Sequence, residues 1–381
     1  MRSDVPLKVL LVAEGSGGHL IPALEVAATL ARSGARIKIW YAQRRQTAPL
    51  TDALLRPHPS IDVDAFPVEA SSNPLERLWR CGQLWHRAQQ CFDTFAPDVV
   101  VGFGGWVSAP VVLAARNRRI GCLLHEQNVV MGRANQWLAP WVDRIAVSFR
   151  ETQAVLEGAA SVMTGLPTRQ GIGRAARAQA AASFGLAPDR PTLLVLGGSQ
   201  GSRAVNRLML ETLGLFSSSE RDRWQAVHVT GAADAEAARA AYAAHRVSAW
   251  AAPFLIEMDA AYALADVVIG RAGASTIAEL ARCGTPAVLI PYPYAGHHQR
   301  ANAALVEAVG GGVMIEEANA TPARVLSAAR RILGDERLRL LMGRQMRELA
   351  CADAADRLRD AIVEVAERGV EAKSPFQKPG R

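Results

Sequence analysis

Two glycine-rich turns carry the clearest chemistry in this sequence. The first, GSGGH at residues 15–19, follows an apolar run at 9–13, and the second, GGSQG at 197–201, follows one at 192–196. Each turn precedes a helical run, so backbone N–H groups gather at a helix N-terminus, where the dipole favours anions. His19 ends the first turn, and an imidazole there can act as a general base near neutral pH. We predict that both turns contact a phosphate-bearing ligand; the alternative for the first is a structural turn.

The first turn lacks the features of a nicotinamide-dinucleotide site. A GxGxxG fingerprint would need glycine in place of Leu20. An acidic residue should also end the next strand, where Trp40 and Tyr41 stand. The sequence therefore predicts no such cofactor.

Three further segments place glycine or polar residues after predicted strands: GFGGWVS at 102–108, HEQN at 125–128 and RAGASTIAE at 271–279. The first could face the 15–19 turn across a topological switch point, and the second is richer in polar groups than packing requires. Close backbone packing and a surface loop are their respective alternatives. In the third, Glu279 could accept both hydroxyls of a ribose, although Thr276 and Glu279 also have capping-box spacing.

The second glycine turn also fits GxSxG, the nucleophile elbow of α/β-hydrolases. Asp266 and then His297 or His298 follow Ser199 in the order Ser, Asp, His. Ser199 lies after the first strand of a new half, without the strands that normally precede an elbow. A serine hydrolase is therefore the less favoured alternative.

The elements that position these residues are strand-like and helix-like runs that alternate in both halves. Short continuous apolar runs between helices indicate parallel strands buried on both faces. The pattern restarts after residues 165–169, the predicted linker. We expect an α/β protein with domains at 1–165 and 166–340, a final helical segment at 341–368 and a tail at 369–381.

Composition excludes several other classes of protein. The 381 residues are 50% hydrophobic and carry a net charge of +7 without a long basic tract, so nucleic-acid binding is not predicted. Five cysteines form no CxxC pair, which argues against a disulfide framework or a zinc site. No apolar run suits a membrane span or a signal peptide, so we expect a cytoplasmic protein. We also expect no metal and no other cofactor.

Taken in order, these segments resemble the MurG family of bacterial cell-wall synthesis. The resemblance covers residues 8–316 and rests on GSGGHLIPALEVA at 15–27, DVVVGFGGWVSAP at 98–110, LHEQNVVMGRANQWLA at 124–139, LGGSQGSRAVN at 196–206, ADVVIGRAGASTIAEL at 265–280 and HQRAN at 298–302. It implies the GT-B fold, two Rossmann-like parallel-sheet domains separated by a cleft, with the final helix packed back on the first domain. It also implies inverting transfer of GlcNAc from UDP-GlcNAc to the muramyl 4-hydroxyl of undecaprenyl-pyrophosphoryl-MurNAc-pentapeptide.

The resemblance further implies roles for single residues. Glu279 would hold the ribose, Leu255 would present backbone atoms to uracil, and His19 is the candidate base. Gly104 and Gly105 would contact the acceptor diphosphate. The residues implied to bind UDP-GlcNAc are Ser16, Gly17, Gly18, Asn128, Arg169, Ser199, Leu255, Ala274, Ser275, Thr276, Ile277, Ala278, Glu279 and Gln299.

A lipid-linked acceptor implies a peripheral protein on the cytoplasmic side of the bacterial membrane. Trp79 and Trp85 lie in a basic stretch with Arg77, Arg80 and Arg87, a combination suited to an anionic membrane surface. The alternative is that these are core tryptophans and a solvated helix face.

Three positions depart from the family pattern. Glu14 stands where the family usually has glycine, Leu166 stands where it usually has asparagine, and Ser16 conservatively replaces the usual threonine. A carboxylate at position 14 would repel a diphosphate unless it points away. Glu14 and Leu166 keep a third hypothesis open, a non-catalytic GT-B protein that binds a sugar nucleotide.

Overall fold

The computed structural model describes residues 5–15, 17–43, 52, 54–55, 61–67, 73–156, 160–198, 201–294 and 298–371. The chain divides into two compact units. Unit 1 comprises Met1–Gln127, Met131–Pro167 and Asp353–Arg381, and unit 2 comprises Asn128–Val130 and Thr168–Ala352.

Unit 1 is built on a parallel sheet in the order β3-β2-β1-β4-β5-β6-β7. Its strands are β1 (Lys8–Glu14), β2 (Arg36–Gln43), β3 (Asp62–Pro67), β4 (Val99–Gly102), β5 (Gly121–Glu126), β6 (Arg144–Val147) and β7 (Ser161–Met163). Its helices are α1 (Gly17–Arg32), α2 (Pro74–Thr94), α3 (Ser108–Asn117), α4 (Arg133–Leu138), a 3₁₀ turn (Ala139–Trp141), α5 (Arg150–Ala154) and, at the end of the chain, α15 (Ala354–Glu371).

Unit 2 has a second parallel sheet in the order β10-β9-β8-β11-β12-β13. Its strands are β8 (Thr192–Leu196), β9 (Gln225–Val229), β10 (Ser248–Ala252), β11 (Val267–Gly270), β12 (Ala287–Leu289) and β13 (Gly312–Met314). Its helices are α6 (Arg177–Phe184), α7 (Arg203–Leu213), α8 (Ser218–Arg223), α9 (Ala235–Ala244), α10 (Met258–Leu264), α11 (Ala274–Cys283), α12 (His298–Ala308), a 3₁₀ turn (Glu317–Asn319), α13 (Pro322–Gly334) and α14 (Glu336–Arg347).

In both sheets the strand order reverses beside the first strand. The reversal lies between β1 and β4 in unit 1 and between β8 and β11 in unit 2. Loops diverge at such a switch point, and α/β sheets bind ligands there, at the carboxyl ends of the strands. Each predicted glycine turn follows one of these four strands. The two Rossmann-like sheets confirm the predicted fold class.

The strands are apolar on both faces because helices cover both. Val9 and Leu11 of β1 pack in one buried cluster, while Leu10 and Val12 pack in the cluster on the opposite face. Side chains alternate between the faces of a strand, so each face needs its own covering layer.

Helix α15 supplies part of the covering layer of unit 1. Leu358, Ile362 and Val365 are buried in the same cluster as Val9 and Leu11. A Cβ added at Gly121 would lie only 3.0 Å from Cγ1 of Val365, so glycine lets the helix approach β5 closely.

The segment that returns to unit 1 begins later than the predicted residue 341. Helix α14 runs to Arg347 and belongs to unit 2, where Met346 is fully buried. A Cβ at Gly343 would lie 2.5 Å from the carbonyl oxygen of Gly284, so α14 packs tightly at the end of α11. The boundary between the units lies at 352–353 instead of near 341.

Candidate active site

The turn after β1 needs glycine because its backbone lies against the next strand. The amide of Gly15 donates to the carbonyl oxygen of Ala42 at 2.8 Å, and a Cβ there would lie 2.2 Å from that oxygen. Helix α1 begins at Gly17, and a Cβ at Gly18 would meet no described atom within 4 Å. The start of this helix therefore has the open backbone that an anion site requires; Ser16 lies outside the described residues.

His19 and Glu14 border the two glycines of the turn after β4. Gly104 and Gly105 have φ of +87° and +80°, which glycine adopts at low cost. A Cβ at Gly104 would lie 3.4 Å from Nε2 of His19. A Cβ at Gly105 would lie 2.2 Å from Cγ and 2.6 Å from Oε1 of Glu14. The imidazole and the carboxylate thus each lie against one glycine of the predicted diphosphate site.

The position of Glu14 decides between two possibilities raised by the sequence. A carboxylate that pointed away from the turn would leave a diphosphate at Gly104 and Gly105 unaffected. The side chain instead lies directly against Gly105. Negative charge at this distance repels a second anion, more strongly where water is excluded.

The polar residues at 125–128 do not form a surface loop, which was the alternative interpretation of this segment, and most of them serve packing. Strand β5 extends through Glu126, and the side chains of His125, Glu126 and Gln127 are buried. His125 contacts the carbonyl oxygen of Gly165 at 3.1 Å, and burial lowers its pKa to about 4, so the ring is neutral at pH 7. Three of the four residues therefore hold unit 1 together, and only Asn128 belongs to unit 2.

Glu126 and Gln127 show why polar residues are buried there. Oε2 of Glu126 accepts hydrogen bonds from Nδ2 of Asn135 at 2.7 Å and from the amide of Gly132 at 2.9 Å. Nε2 of Gln127 donates to the carbonyl oxygen of Phe103 at 3.0 Å. These bonds fix the loops at the carboxyl ends of β4 and β5, since buried polar groups are stable only when paired.

The glycine turn of unit 2 is equally constrained. A Cβ at Gly197 would lie 2.2 Å from the amide nitrogen of Ser202, and one at Gly201 would lie 2.2 Å from the carbonyl oxygen of Thr230. Ser202 caps α7 through the amide of Val205, and Nε of Arg271 donates to its hydroxyl at 3.1 Å. The turns after β8 and β11 are therefore joined; Ser199 lies outside the described residues.

Glu279 is a buried carboxylate of unit 2. It is only 4% exposed, and the hydroxyl of Tyr262 donates to its Oε2 at 2.9 Å. Nη2 of Arg169 lies 3.5 Å from Oε1, an ion pair without a hydrogen bond. Burial raises the pKa of Glu279, and the charge of Arg169 and the Tyr262 hydrogen bond oppose that rise. Among the described residues, Oε1 has no hydrogen-bond partner.

The capping interpretation of Thr276 and Glu279 is wrong. Gly273 is the N-cap of α11, so Thr276 lies inside the helix, and Glu279 bonds to Tyr262 instead of to the helix start. No side chain of the described residues caps the helix, and its first amides are the groups that helix geometry leaves without intrahelical partners. The buried hydroxyl of Ser275 also has no hydrogen-bond partner within the described part of the chain.

The start of α11 limits which of residues 274–278 can contact a ligand. The side chain of Ile277 is fully buried, and its amide donates to the carbonyl oxygen of Gly273 at 3.0 Å. Only Ala274, Ser275 and Thr276 precede the first such helical bond. The amides of Ile277 and Ala278 are therefore used within the helix, and these residues support the helix start without offering a free amide to a ligand.

Arg169 links two parts of the predicted nucleotide site. Besides its ion pair with Glu279, its Nη1 donates to the carbonyl oxygen of Ile256 at 2.7 Å. Ile256 follows Leu255, the residue whose backbone is predicted to face uracil. Arg169 thus contacts both Glu279 and the loop at Ile256, so it can position these two parts of the site.

Asn128 lies in a hydrogen-bonded cluster of unit 2. Nδ2 of Asn302 donates to Oδ1 of Asn128 at 3.1 Å and to the carbonyl oxygen of Ala272 at 3.0 Å. Oδ1 of Asn302 accepts from the amide of Val129 at 3.0 Å. Oε1 of Gln299 accepts from the amide of Tyr292 at 3.0 Å. Asn128 and Gln299 are therefore both attached to loops that follow the central strands.

Sequence reasoning missed Tyr262 and Asn302. Asn302 ended the polar run 298–302, which was a usable signal, whereas Tyr262 lies in an alanine-rich helix that offered none. Both side chains are almost completely buried.

Helix α2 presents apolar side chains to solvent. Leu75, Leu78 and Trp79 are 75%, 70% and 64% exposed, and Trp85 is 36% exposed. Leu84 on the opposite side is buried in the core. In the described ranges, no helix is both long enough and apolar enough to cross a bilayer.

The comparisons with known proteins point to one family of enzymes. Residues 9–147 match the glycosyltransferase family 28 N-terminal domain, and residues 192–358 match the glycosyltransferase family 28 C-terminal domain. The UDP-N-acetylglucosamine–N-acetylmuramyl-(pentapeptide) pyrophosphoryl-undecaprenol N-acetylglucosamine transferase of Syntrophotalea carbinolica is 36% identical, over 92% of this chain and 97% of its own length. The enzyme of the same name from Mesorhizobium japonicum is 35% identical, over 97% of this chain and 98% of its own. The chain belongs to the MurG family.

Solved structures agree with this assignment. The crystal structure of MurG from Acinetobacter baumannii superposes with a TM-score of 0.73 at 27% identity, covering 94% of this chain and all of that one. A UDP-GlcNAc 2-epimerase from Neisseria meningitidis superposes with a TM-score of 0.70 at 11% identity, covering 94% of this chain and all of its own, which shows the fold alone. The GT-B fold and the glycosyltransferase class predicted from the sequence are confirmed.

The hydrolase alternative is not favoured by this membership of the MurG family or by the geometry. Oδ2 of Asp266 accepts hydrogen bonds from the amide of Thr192 at 2.8 Å and from Nη2 of Arg177 at 2.8 Å. These groups lie at the amino ends of β8 and β11, whereas a nucleophile elbow lies at the carboxyl end. Asp266 is therefore a structural residue.

Proposed function

We propose that this protein transfers N-acetylglucosamine from UDP-GlcNAc to the muramyl 4-hydroxyl of undecaprenyl-pyrophosphoryl-MurNAc-pentapeptide, with inversion at the anomeric carbon. The observation that carries the proposal is the buried carboxylate of Glu279. One of its oxygens has no hydrogen-bond partner among the described residues, and it lies one helical turn beyond the start of α11, which no described side chain caps. A nucleoside diphosphate matches this pair of features, because its ribose donates hydrogen bonds and its phosphates are anions.

The donor is proposed to bind unit 2. Amides at Ala274, Ser275 and Thr276 contact its phosphates together with the turn that contains Ser199. Glu279 accepts the ribose hydroxyls, and the backbone at Leu255 faces uracil. Arg169 is a positioning residue that joins these two elements, and Asn128 and Gln299 hold the sugar. Gly17 and Gly18 of unit 1 are proposed to contact the donor at its phosphate and sugar.

The acceptor is proposed to bind unit 1, with its diphosphate at Gly104 and Gly105. His19 takes the proton of the 4-hydroxyl as that oxygen forms its bond to the anomeric carbon. The bond from the anomeric carbon to the UDP oxygen breaks on the opposite side, which inverts the centre. Amides at a helix start stabilise the negative charge on UDP, because they are oriented before the reaction begins.

The lipid-linked acceptor requires contact with a membrane surface. We propose that the protein binds peripherally through Leu75, Leu78, Trp79 and Trp85 of α2. Apolar side chains beside arginines combine insertion between lipids with attraction to anionic headgroups. No nucleic-acid partner is proposed.

Transfer of radiolabelled GlcNAc to a short-chain muramyl-pentapeptide pyrophosphoryl lipid tests the reaction. We expect His19→Ala to lower kcat about 10²–10⁴-fold while the KM for UDP-GlcNAc changes little, because a general base acts in the transition state. His245→Ala, at the end of α9, is the matched control and should keep wild-type turnover. Absence of transfer by the wild-type protein would refute the function, whereas full turnover by His19→Ala would refute only the choice of base.

A further inference from the structure

A carboxylate can accept several hydrogen bonds, and Glu279 uses only part of that capacity within the described structure. Its Oε2 accepts from the hydroxyl of Tyr262, while Oε1 has no hydrogen-bond partner among the residues described. Both side chains are nearly inaccessible, at 4% and 2% exposed. An acceptor without a hydrogen bond is costly in such a place, so Oε1 is the carboxylate oxygen that a ligand donor would satisfy.

The hydroxyl of Tyr262 restricts the orientation of the Glu279 carboxylate, and with it the position of Oε1. A carboxylate turns easily about its last torsion, which has broad minima. The bond from Tyr262 at 2.9 Å and the ion pair from Arg169 at 3.5 Å act on opposite oxygens and oppose that rotation. Tyr262 belongs to α10 and Glu279 to α11, so the bond also joins two helices.

We propose that Tyr262 is a positioning residue that makes the donor site selective for ribonucleotides over 2′-deoxyribonucleotides. It holds the Glu279 carboxylate so that Oε1 meets the ribose hydroxyls, and the loss of the 2′-hydroxyl leaves that buried acceptor unsatisfied. The inference rests on the proposed function, because it takes the ligand at Glu279 to be the ribose of UDP-GlcNAc.

The protonation states suit this role. Burial raises the pKa of Tyr262 well above its ordinary value, so the phenol keeps its proton and remains a donor. Burial raises the pKa of Glu279, and the Arg169 charge and the Tyr262 hydrogen bond limit that rise. Removal of the phenol oxygen would therefore weaken both the orientation and the ionisation of the carboxylate.

The test compares UDP-GlcNAc with its 2′-deoxyuridine analogue as donors for wild type and for Tyr262→Phe. For wild type we expect a preference of about ten- to hundredfold in kcat/KM for the ribonucleotide, the usual effect of a hydrogen bond to a buried charge. For Tyr262→Phe we expect that ratio to fall by about threefold or more, mainly because the ribonucleotide binds less well.

Tyr242→Phe is the matched control. Tyr242 is equally buried, and its hydroxyl bonds to Nδ1 of His228 at 3.2 Å, away from Glu279. It should lose a similar amount of stability and keep the wild-type ratio. A double-mutant cycle with Glu279→Gln adds a second measurement, because Tyr262→Phe should have no further effect on the ratio once the carboxylate is absent.

Four results would overturn the inference. Three concern the variants: an unchanged ratio in Tyr262→Phe, the same change in Tyr242→Phe, and additive effects in the cycle. The fourth is a wild-type enzyme that transfers GlcNAc equally well from both donors, which would leave the proposed reaction intact. Failure of wild type to use UDP-GlcNAc at all would instead refute the proposed function.

Discussion

Glu14 and His19 are five residues apart in the sequence and border neighbouring glycines in the structure. A Cβ at Gly105 would collide with the side chain of Glu14, and one at Gly104 would contact His19. The proposed base and a fixed negative charge therefore share one turn. Any anion bound at this turn must tolerate that charge.

At the residue scale we expect Glu14→Gln to improve acceptor binding. Removal of the charge eliminates repulsion of the acceptor diphosphate, so the KM for the acceptor should fall roughly threefold to tenfold. The KM for UDP-GlcNAc should stay the same. Steady-state kinetics with the short-chain acceptor measure both values.

Glu14→Asp is the control, because it shortens the side chain and keeps the charge. The acceptor KM of Glu14→Asp should therefore stay close to the wild-type value. An acceptor KM that is the same for wild type and Glu14→Gln would show that the diphosphate binds elsewhere.

Residue types revealed part of the candidate site and hid the rest. Glu279 was predictable because a carboxylate after a strand–glycine–helix pattern has few structural roles. Tyr262 was not, because one tyrosine in an alanine-rich helix looks like a core residue until its hydroxyl is seen to bond Oε2. His125 misled for the opposite reason, since its polar type suggested a ligand site and tertiary packing buried it completely.

At the scale of elements, α2 combines a buried side with an exposed apolar one. Leu84, Ala88 and Phe92 follow helical spacing and pack in the core. Trp79 and Leu78 lie largely in solvent, although burial of such side chains would be favourable. Leu75, Leu78 and Trp79 are neighbours at helical spacing, and an exposed apolar patch of this kind is typical of an interaction surface.

We expect Trp79→Glu with Trp85→Glu to reduce binding to vesicles of phosphatidylglycerol and phosphatidylethanolamine about tenfold or more. The change removes two inserting rings and adds two charges that anionic lipids repel. Sedimentation with the vesicles measures binding, and calorimetry should find the same affinity for UDP.

Leu340→Glu with Leu341→Glu makes the same change of charge at exposed leucines of α14, which are 57% and 45% exposed. This control should sediment as wild type does. Equal sedimentation of all three proteins would exclude α2 as the membrane contact.

Most elements were predictable because buried parallel strands are short, apolar and separated by helices. Their ends were less so. Strand β5 runs two residues past the apolar run at 122–124 because its last side chains find hydrogen-bond partners inside unit 1. These hydrogen bonds form only in the folded chain, so the pattern of apolar residues in the sequence does not predict them.

At the scale of the whole molecule, the last helix is part of the first core. Ile362 is fully buried with Val9 and Leu11, more than 300 residues away in the sequence. The folding of unit 1 therefore depends on a segment that is synthesised after unit 2.

We expect Ile362→Ala to lower the free energy of unfolding of unit 1 by about 2–5 kcal/mol, the usual cost of a cavity at a buried isoleucine. Urea unfolding followed by tryptophan fluorescence reports chiefly on this unit, which holds six of the eight tryptophans. The exposed residue Glu367 on the same helix provides the control, Glu367→Ala, which should change stability little. An unchanged urea midpoint for Ile362→Ala would contradict the packing of α15.

The return of the chain at residue 353 restricts how relatives of this enzyme can be recombined. A chimaera with one junction near residue 167 would inherit unit 2 and α15 from the same parent. Leu358 and Ile362 would then meet a foreign β1, with the penalties of poor fit in a densely packed interior. Hybrids made to exchange donor preference should therefore carry two junctions, the second near residue 353, so that each hydrophobic core comes from a single ancestor.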